Sequence, residues 1–419
     1  MNLKKISLPL AVTIIIILTT LLVTTFLNPK KECVCDECVC PEENSTKDPL
    51  ESWKEDFFEP VEVDYSQYPD FYRGAWAPRI DIARKYLFQA SDLRQAGIDT
   101  IILGIDIVMD PETSEAKSLG DNTFKFYIQA FQKQGFRVFI VPDPAHPSFD
   151  LGKGFDWGEE DSDNSTYHAG KELLDKFTPV VLDWASTAEQ MNVYGFLPLL
   201  EPHVFAGEIE VASNWLEEIL PQIRERFNGK VGVIDIMHNT GVGREVIPYP
   251  YDYSGYDFAL GGPPAGRKPE ILNEWTEDVE GYITKGIEYV QTYDLDGFAL
   301  YEWGPYVGGV WYEDVQMCQY DQCLNEDEAQ LVVQAGIDLQ EDKEGIIGSF
   351  PIIGTGWIDF GTKGFEEIAH WYNRCEHFSV QPLEEQEWDY ETILWYERVL
   401  AGDDYNNICT LDEWSICAE

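Results

Sequence analysis

Strand-like and helix-like segments alternate along most of this chain, and this alternation constrains the fold more than any other feature. From about residue 71 onward, short runs rich in β-branched and aromatic residues are separated by longer amphipathic stretches. The runs lie at 71–76, 100–108, 136–142, 194–200, 231–237, 256–262, 296–301 and 345–352. Successive parallel strands need a crossover, usually a helix, so the alternation predicts a parallel sheet covered by helices. Eight such units predict an α/β fold, the (β/α)8 or TIM barrel.

The fifth unit is the weak point of this prediction. A loop, rather than a clear helix, follows the run at 231–237. A doubly wound open sheet is therefore the alternative fold.

An uncharged apolar run at residues 6–27 precedes the barrel pattern. It is long enough to cross a hydrocarbon core of about 30 Å, and it lacks the short apolar region and cleavage site of a signal peptide. Lys4 and Lys5 lie before it, which favours a cytoplasmic N-terminus. The sequence therefore predicts a single-pass cell-membrane protein with an extracellular body.

Five segments follow from these patterns. We expect a cytoplasmic tip at 1–5, a transmembrane anchor at 6–27, a cysteine-containing acidic linker at 28–65, the barrel at 66–380, and an acidic and aromatic extension at 381–419 packed on the barrel.

The linker carries four of the nine cysteines, in the stretch ECVCDECVCPE. Outside the cell, thiols at Cys33, Cys35, Cys38 and Cys40 are expected to oxidise, and disulfides between chains would join two copies at this stalk. A metal bound by the thiolates is the alternative.

The charge balance excludes one class of partner. Asp and Glu total 76 against 29 Lys and Arg, which gives a formal net charge of -47. A phosphate backbone would be repelled, so nucleic-acid binding is excluded. The acids are spread along the chain, and both a high-salt habitat and an ordinary acidic secreted protein fit this composition.

Two glutamates stand at predicted strand ends. Glu201 ends the fourth run, in LPLLEPH, and Glu302 ends the seventh, in ALYEWG. In a (β/α)8 barrel the chemistry gathers at the C-terminal ends of the strands, so these carboxylates should face each other across the barrel mouth. Glycoside hydrolysis needs two such groups. One delivers a proton to the leaving oxygen, and the other attacks the anomeric carbon or activates a water molecule. No phosphate-cradling loop, HExxH zinc helix or dinucleotide fingerprint is found, so we expect no cofactor and no catalytic metal.

Further polar and aromatic residues lie at or just after strand ends. Aromatic rings can stack on sugars, and carboxylates, imidazoles and amides can bond sugar hydroxyls. The predicted substrate-binding residues are Trp76, Asp143, His146, His203, His238, Asn239, Trp303, Tyr306 and Trp357.

The stretches YEWG and LDWASTAEQMNVYGFLPLLEP resemble the retaining TIM-barrel glycoside hydrolases of clan A, and endo-β-mannanase-type members in particular. The resemblance covers roughly 72 to 375. It implies that Glu201 is the acid/base and Glu302 the nucleophile of a double-displacement reaction on a carbohydrate. One position departs from the clan: the residue before the acid/base is usually Asn, and here it is Leu200. His203 or Asn239 would then bond the sugar 2-hydroxyl.

Two alternatives to this function stay open. A non-catalytic barrel could bind glycans or build the cell surface, although it would not need carboxylates at both strand tips. LLEPH is also similar to a strand of endo-α-mannosidase-type barrels, but those carry a second Glu where this chain has Val204.

Overall fold

The computed structural model describes the core of the body. It covers residues 58, 60–68, 72–109, 115–144, 170–206, 209–236, 251–260, 297–305, 380–384 and 386–401, with single helical positions at 284, 291, 330, 334, 338, 366, 369 and 370. All of these residues belong to one compact unit, Trp53–Glu419. The apolar run at 6–27, all nine cysteines and the eighth predicted strand lie outside the described residues. Among the helices that are described, none is both long and apolar enough to cross a membrane.

Seven of the eight predicted strands are present in the described residues, and they form one parallel sheet. The strands are β1 (Gly74–Ala77), β2 (Thr100–Met109), β3 (Ala116–Ser118), β4 (Arg137–Pro144), β5 (Gly195–Phe196), β6 (Lys230–Ile236), β7 (Tyr253–Leu260) and β8 (Gly297–Pro305). Their order in the sheet is β1-β2-β4-β5-β6-β7-β8, and each neighbouring pair is parallel. The short β3 was not predicted; it pairs antiparallel with the end of β2. The fourth and seventh parallel strands along the chain are therefore β5 and β8.

Several strand boundaries differ from the sequence prediction. The fourth run was predicted at 194–200, but the ladder of β5 covers only Gly195–Phe196. Pro198 has no N–H to give to a neighbouring strand. Beyond β5 the chain still follows β4, because the Leu197 and Leu200 amides each donate to a β4 carbonyl. In addition, β7 begins three residues earlier than predicted, and β8 runs on to Pro305.

The described helices are α1 (Ile80–Phe88), α2 (Ala90–Gln95), α3 (Asp121–Lys133), α4 (Gly170–Gln190), α5 (Pro202–Ala206), α6 (Ile209–Arg224) and α7 (Tyr390–Ala401). Helices α1 and α2 are separated only at Gln89, whose backbone is not helical. At the ends of α2 and α3, Gly97 and Gly135 take left-handed conformations, with φ of 85° at each. Glycine adopts this conformation without steric cost, so each helix stops shortly before the next strand.

Apolar side chains form two separate layers. The larger one fills the space between the sheet and the helices. The smaller one, which we call the inner cluster, consists of Trp76, Ile102, Phe139, Val141 and Leu197, none of which has exposed surface. Three of its members are linked by the sheet register, since Trp76 pairs with Ile102 and Ile102 pairs with Phe139. Residues paired across parallel strands share a face, so the inner cluster occupies the inside of the curved sheet, as in a (β/α)8 barrel.

A buried polar network closes the N-terminal end of these strands. Asp99 accepts hydrogen bonds from Arg73 Nε at 2.8 Å and from Arg137 Nη2 at 2.5 Å. Both guanidiniums have side-chain exposures of 2% or less, so the paired carboxylate compensates charges that burial would otherwise disfavour. Three tyrosine rings, those of Tyr68, Tyr72 and Tyr194, surround the Arg137 guanidinium at 4.6–5.5 Å.

Candidate active site

The C-terminal ends of the strands bring carboxylates together on one side of the sheet. Asp106 on β2 stands in register with Asp143 on β4. The Leu200 amide donates to the Pro142 carbonyl at 3.0 Å, so Glu201 comes next to Asp143 along the β4–β5 seam. Asp106 is buried, while Asp143 and Glu201 are half-buried. These three residues therefore form a row across β2, β4 and the segment that follows β5.

Glu201 has an unusual backbone. Its φ is 48°, in the left-handed region, and Asn192 is the other non-glycine residue with positive φ in the described part of the chain. This conformation costs a residue with a side chain roughly 1–2 kcal/mol. Leu200 packs against the inner cluster on one side, and buried Pro202 starts α5 on the other. The surrounding structure thus holds Glu201 in a strained turn, which is a feature that clusters at functional sites.

Glu302 lies within β8, three residues before the strand ends at Pro305, and not directly after the strand as predicted. The register between β7 and β8 shifts at this point. Tyr256 pairs with Leu300, but the next residue, Asp257, pairs with Glu302, so that Tyr301 is passed over. A bulge of this kind changes which positions of a strand stand level with its neighbour. It brings position 302, and not 301, into register with position 257.

Of the two predicted catalytic residues, Glu201 thus lies at the end of the segment that continues from the fourth parallel strand along β4, and Glu302 lies in the C-terminal part of the seventh. Parallel strands all end at the same edge of a sheet, so both positions belong to the same rim.

The other predicted residues fall into four groups. Asp143 lies on the rim beside Glu201. Trp76 has no exposed surface and packs in the inner cluster, so in this structure its ring supports the barrel interior and offers no face to a sugar. His203 is in α5 and Trp303 is in β8, level with Phe258. Residues His146, His238, Asn239, Tyr306 and Trp357 lie outside the described residues.

Asp257 is level with Glu302 in the sheet, and the sequence analysis did not name it. It lies inside the run YDFAL and not at its end, so it does not stand out in the sequence as a polar residue at a strand end. Among the described residues, no group of His, Cys, Asp and Glu side chains is arranged to hold a metal ion.

Comparison with known proteins identifies the overall fold. No family model matches the chain, and no curated protein matches it significantly. Among solved structures, the GH113 β-mannanase AaManA from Alicyclobacillus acidocaldarius, in complex with ManMIm, aligns with a TM-score of 0.50 at 12% identity. The alignment covers 73% of this chain and 97% of that one. The chain folds as a (β/α)8 barrel. The resemblance to TIM-barrel glycoside hydrolases is thereby confirmed for the fold.

Two further solved structures align with lower scores. A GH113 β-1,4-mannanase has a TM-score of 0.49 at 15% identity and covers 73% of this chain and 99% of its own. A family 1 β-glucosidase from Thermotoga maritima has a TM-score of 0.46 at 12% identity, with coverages of 81% and 98%.

Proposed function

We propose that this protein is a retaining glycoside hydrolase that acts on a polysaccharide or glycan. The observation that carries the proposal is the placement of two glutamates on one rim. Glu201 lies five residues after the fourth parallel strand, β5, in a strained left-handed turn, and Glu302 stands near the end of the seventh. The barrel fold makes this rim the expected place for catalysis.

In the proposed reaction, the Glu302 carboxylate attacks the anomeric carbon and the glycosidic carbon–oxygen bond breaks. Glu201 gives its proton to the departing oxygen. In the second step Glu201 takes a proton from water, the water oxygen bonds to the anomeric carbon, and the glycosyl ester to Glu302 breaks. A nucleophile that touches the anomeric carbon requires carboxyl groups about 5–5.5 Å apart, whereas an inverting pair sits about 6.5–9.5 Å apart.

The residue before Glu201 cannot make the sugar contact that this position makes in clan A. Leu200 packs its apolar side chain against the inner cluster, so this position supplies no hydrogen-bonding group to a sugar 2-hydroxyl. We assign that contact to Asp143, which lies beside Glu201 on the neighbouring strand, together with His203, which follows Glu201 in α5. Trp303 and Tyr306 would provide stacking faces for the same sugar or the next one.

We also propose that the apolar run at 6–27 anchors the enzyme in the cell membrane with the body outside, and that the cysteines at 33–40 join two chains. The support is the length and uncharged character of the run and the basic residues before it. Protease added to intact cells should release the body, and complete protection of the body would show the opposite topology.

The test of function is release of reducing sugar from a panel of polysaccharides that includes β-mannan and β-glucan, followed by proton NMR of the first product. Retention of the anomeric configuration supports the double displacement, and first release of the opposite anomer rules it out. Glu302→Ala should abolish turnover, with azide restoring an inverted product. Glu201→Ala should lose most activity on natural glycans but keep activity on aryl glycosides, whose leaving group needs no proton.

Glu217→Ala is the matched control, because Glu217 is exposed on the outer helix α6. This variant should keep full activity. Glycan binding without turnover by the wild-type protein would instead favour a non-catalytic barrel.

A further inference from the structure

The segment just before the first strand crosses the N-terminal end of the barrel. We call residues 60–68 the strap. It contains a short 3-10 turn at Tyr65–Gln67 and lies opposite the rim that carries Glu201, since its contacts are with residues that precede β4 and β5. Residues 60–65 had been assigned to the linker from the sequence.

Side chains make the bonds that tie the strap to the barrel. The Tyr65 hydroxyl donates to the Asn192 carbonyl at 2.9 Å, and Asn192 Nδ2 donates to the Val61 carbonyl at 3.0 Å. The Tyr68 hydroxyl donates to the Gly135 carbonyl. The backbone amides of Tyr65, Gln67 and Tyr68, in contrast, bond to carbonyls within the strap itself.

The strap is covered by the barrel at a few side chains only. Val63 is its one fully buried residue, Val61, Tyr65 and Tyr68 are half-buried, and the others are exposed. Its turn is supported locally, because the Asp64 carboxylate accepts bonds from the Ser66 amide and from Gln67 Nε2. Segments with few buried apolar contacts and local hydrogen bonds open at low free-energy cost.

The barrel end has a second cover beneath the strap. Tyr72 lies two residues before β1 and Tyr194 directly before β5, and their hydroxyl oxygens are 3.1 Å apart. Both rings also face the Arg137 guanidinium, at 4.6 and 5.5 Å. Arg137 would therefore keep its ion pair with Asp99 and two of its three aromatic neighbours if Tyr68 moved away.

From this arrangement we propose that the strap is a detachable outer plug, which opens as a unit while the barrel stays folded. Opening frees residues 60–68 from the barrel end. About nine residues of extended chain add roughly 30 Å of reach to the segment that precedes the body.

Hydrogen exchange of the full-length protein, followed by mass spectrometry, tests this proposal. Peptides from 60–68 should exchange at least about 100-fold faster than peptides from β4 under native conditions. Tyr68→Phe removes the bond to the Gly135 carbonyl but keeps the ring, and should speed strap exchange about tenfold while β2 and β4 are unchanged. Tyr251→Phe is the matched control: it removes a similar buried bond, from Tyr251 to the Leu216 carbonyl, and should leave strap exchange unchanged.

Three results would overturn the proposal. Strap peptides could be as protected as β4, which would make the strap part of the global folding unit. Tyr68→Phe could speed exchange in β2 and β4 as much as in the strap. Tyr251→Phe could speed the strap to the same extent as Tyr68→Phe, which would show that the response is not local.

Discussion

Arg84 and Glu397 form a buried ion pair although 313 residues separate them in the sequence. Arg84 Nη2 lies 2.8 Å from Glu397 Oε2, with side-chain exposures of 2% and 0%, and the Tyr127 hydroxyl donates to the same carboxylate. The pair fixes the C-terminal helix α7 against α1 and α3. Such a pair specifies a docking position more than it adds stability, because burying both charges is costly.

Single substitutions at this pair should therefore be far more harmful than a double one. Glu397→Gln leaves the Arg84 charge buried without its counter-ion and should cost about 3–5 kcal/mol in the free energy of unfolding. Arg84→Met combined with Glu397→Leu should recover most of that loss. Urea denaturation measures both. Lys171→Ala, which removes exposed ion pairs to Asp175 and Glu218, should cost less than about 1 kcal/mol. Additive losses in the double variant would contradict the interpretation.

The strap should be sensitive to alkaline pH through Tyr68. Burial raises the pKa of Tyr68 from 10.0 to about 12, against the opposing effect of the Arg137 guanidinium. A raised pKa in the folded state means that this residue's contribution to strap docking is complete below pH 10 and is lost as the pH rises toward 12. The difference in absorbance at 295 nm between wild type and Tyr68→Phe should therefore titrate near pH 12. A midpoint near pH 10 would show that the phenol is not buried.

The left-handed turn at Glu201 should make glycine the better replacement for stability. Glu201→Gly and Glu201→Ala both remove the carboxylate, but only glycine adopts a φ of 48° without strain. We expect Glu201→Gly to be more stable than Glu201→Ala by about 1 kcal/mol in chemical denaturation, with both variants equally inactive on natural glycans. At Glu217, inside helix α6, the order should reverse, because glycine is unfavourable in a helix. The same order at both positions would mean that Glu201 is not strained.

Gly195 should tolerate no side chain. An added Cβ would lie 2.1 Å from Cε1 of Phe139, a member of the inner cluster. Gly195→Ala should lower the free energy of unfolding by about 1–3 kcal/mol or more, because the ring cannot move within a packed interior. Gly170→Ala is the comparison: among the described residues nothing lies within 4 Å of its Cβ, and the backbone strain at φ 57° alone should cost about 1 kcal/mol. Equal effects would argue against tight packing around Phe139.

The strand pattern was predictable because it depends on local sequence. A run such as TIILGIDIV is apolar along most of its length, which predicts a buried strand, and β2 matches this prediction closely. The three-residue β3 carries no periodic signal, and it forms only because the end of β2 offers a free edge. Pro198 in the fourth run indicates a short β5, because proline has no N–H to donate to the hydrogen bonds between strands.

The candidate site was predictable only in part. Strand ends located Glu201 and Glu302, but the register shift that pairs Glu302 with Asp257 depends on a neighbouring strand and leaves no local trace. Trp76 has an aromatic ring of the kind that stacks on sugars, yet its register with Ile102 places it in the barrel interior. Glu397 lies in WYERVL and looks like a solvated helix residue until Arg84 is brought against it by the fold.

The strap contacts also determine how the body can be attached to a surface. They hold the chain's entry point at the end of the barrel where β4 and β5 begin, on the opposite side from the rim. A bead or a fusion partner joined ahead of residue 60 would therefore leave the opposite rim open to a long polymer. Coupling through exposed groups near that rim, such as Lys117 beside β2, would instead place the support beside the path of the polymer.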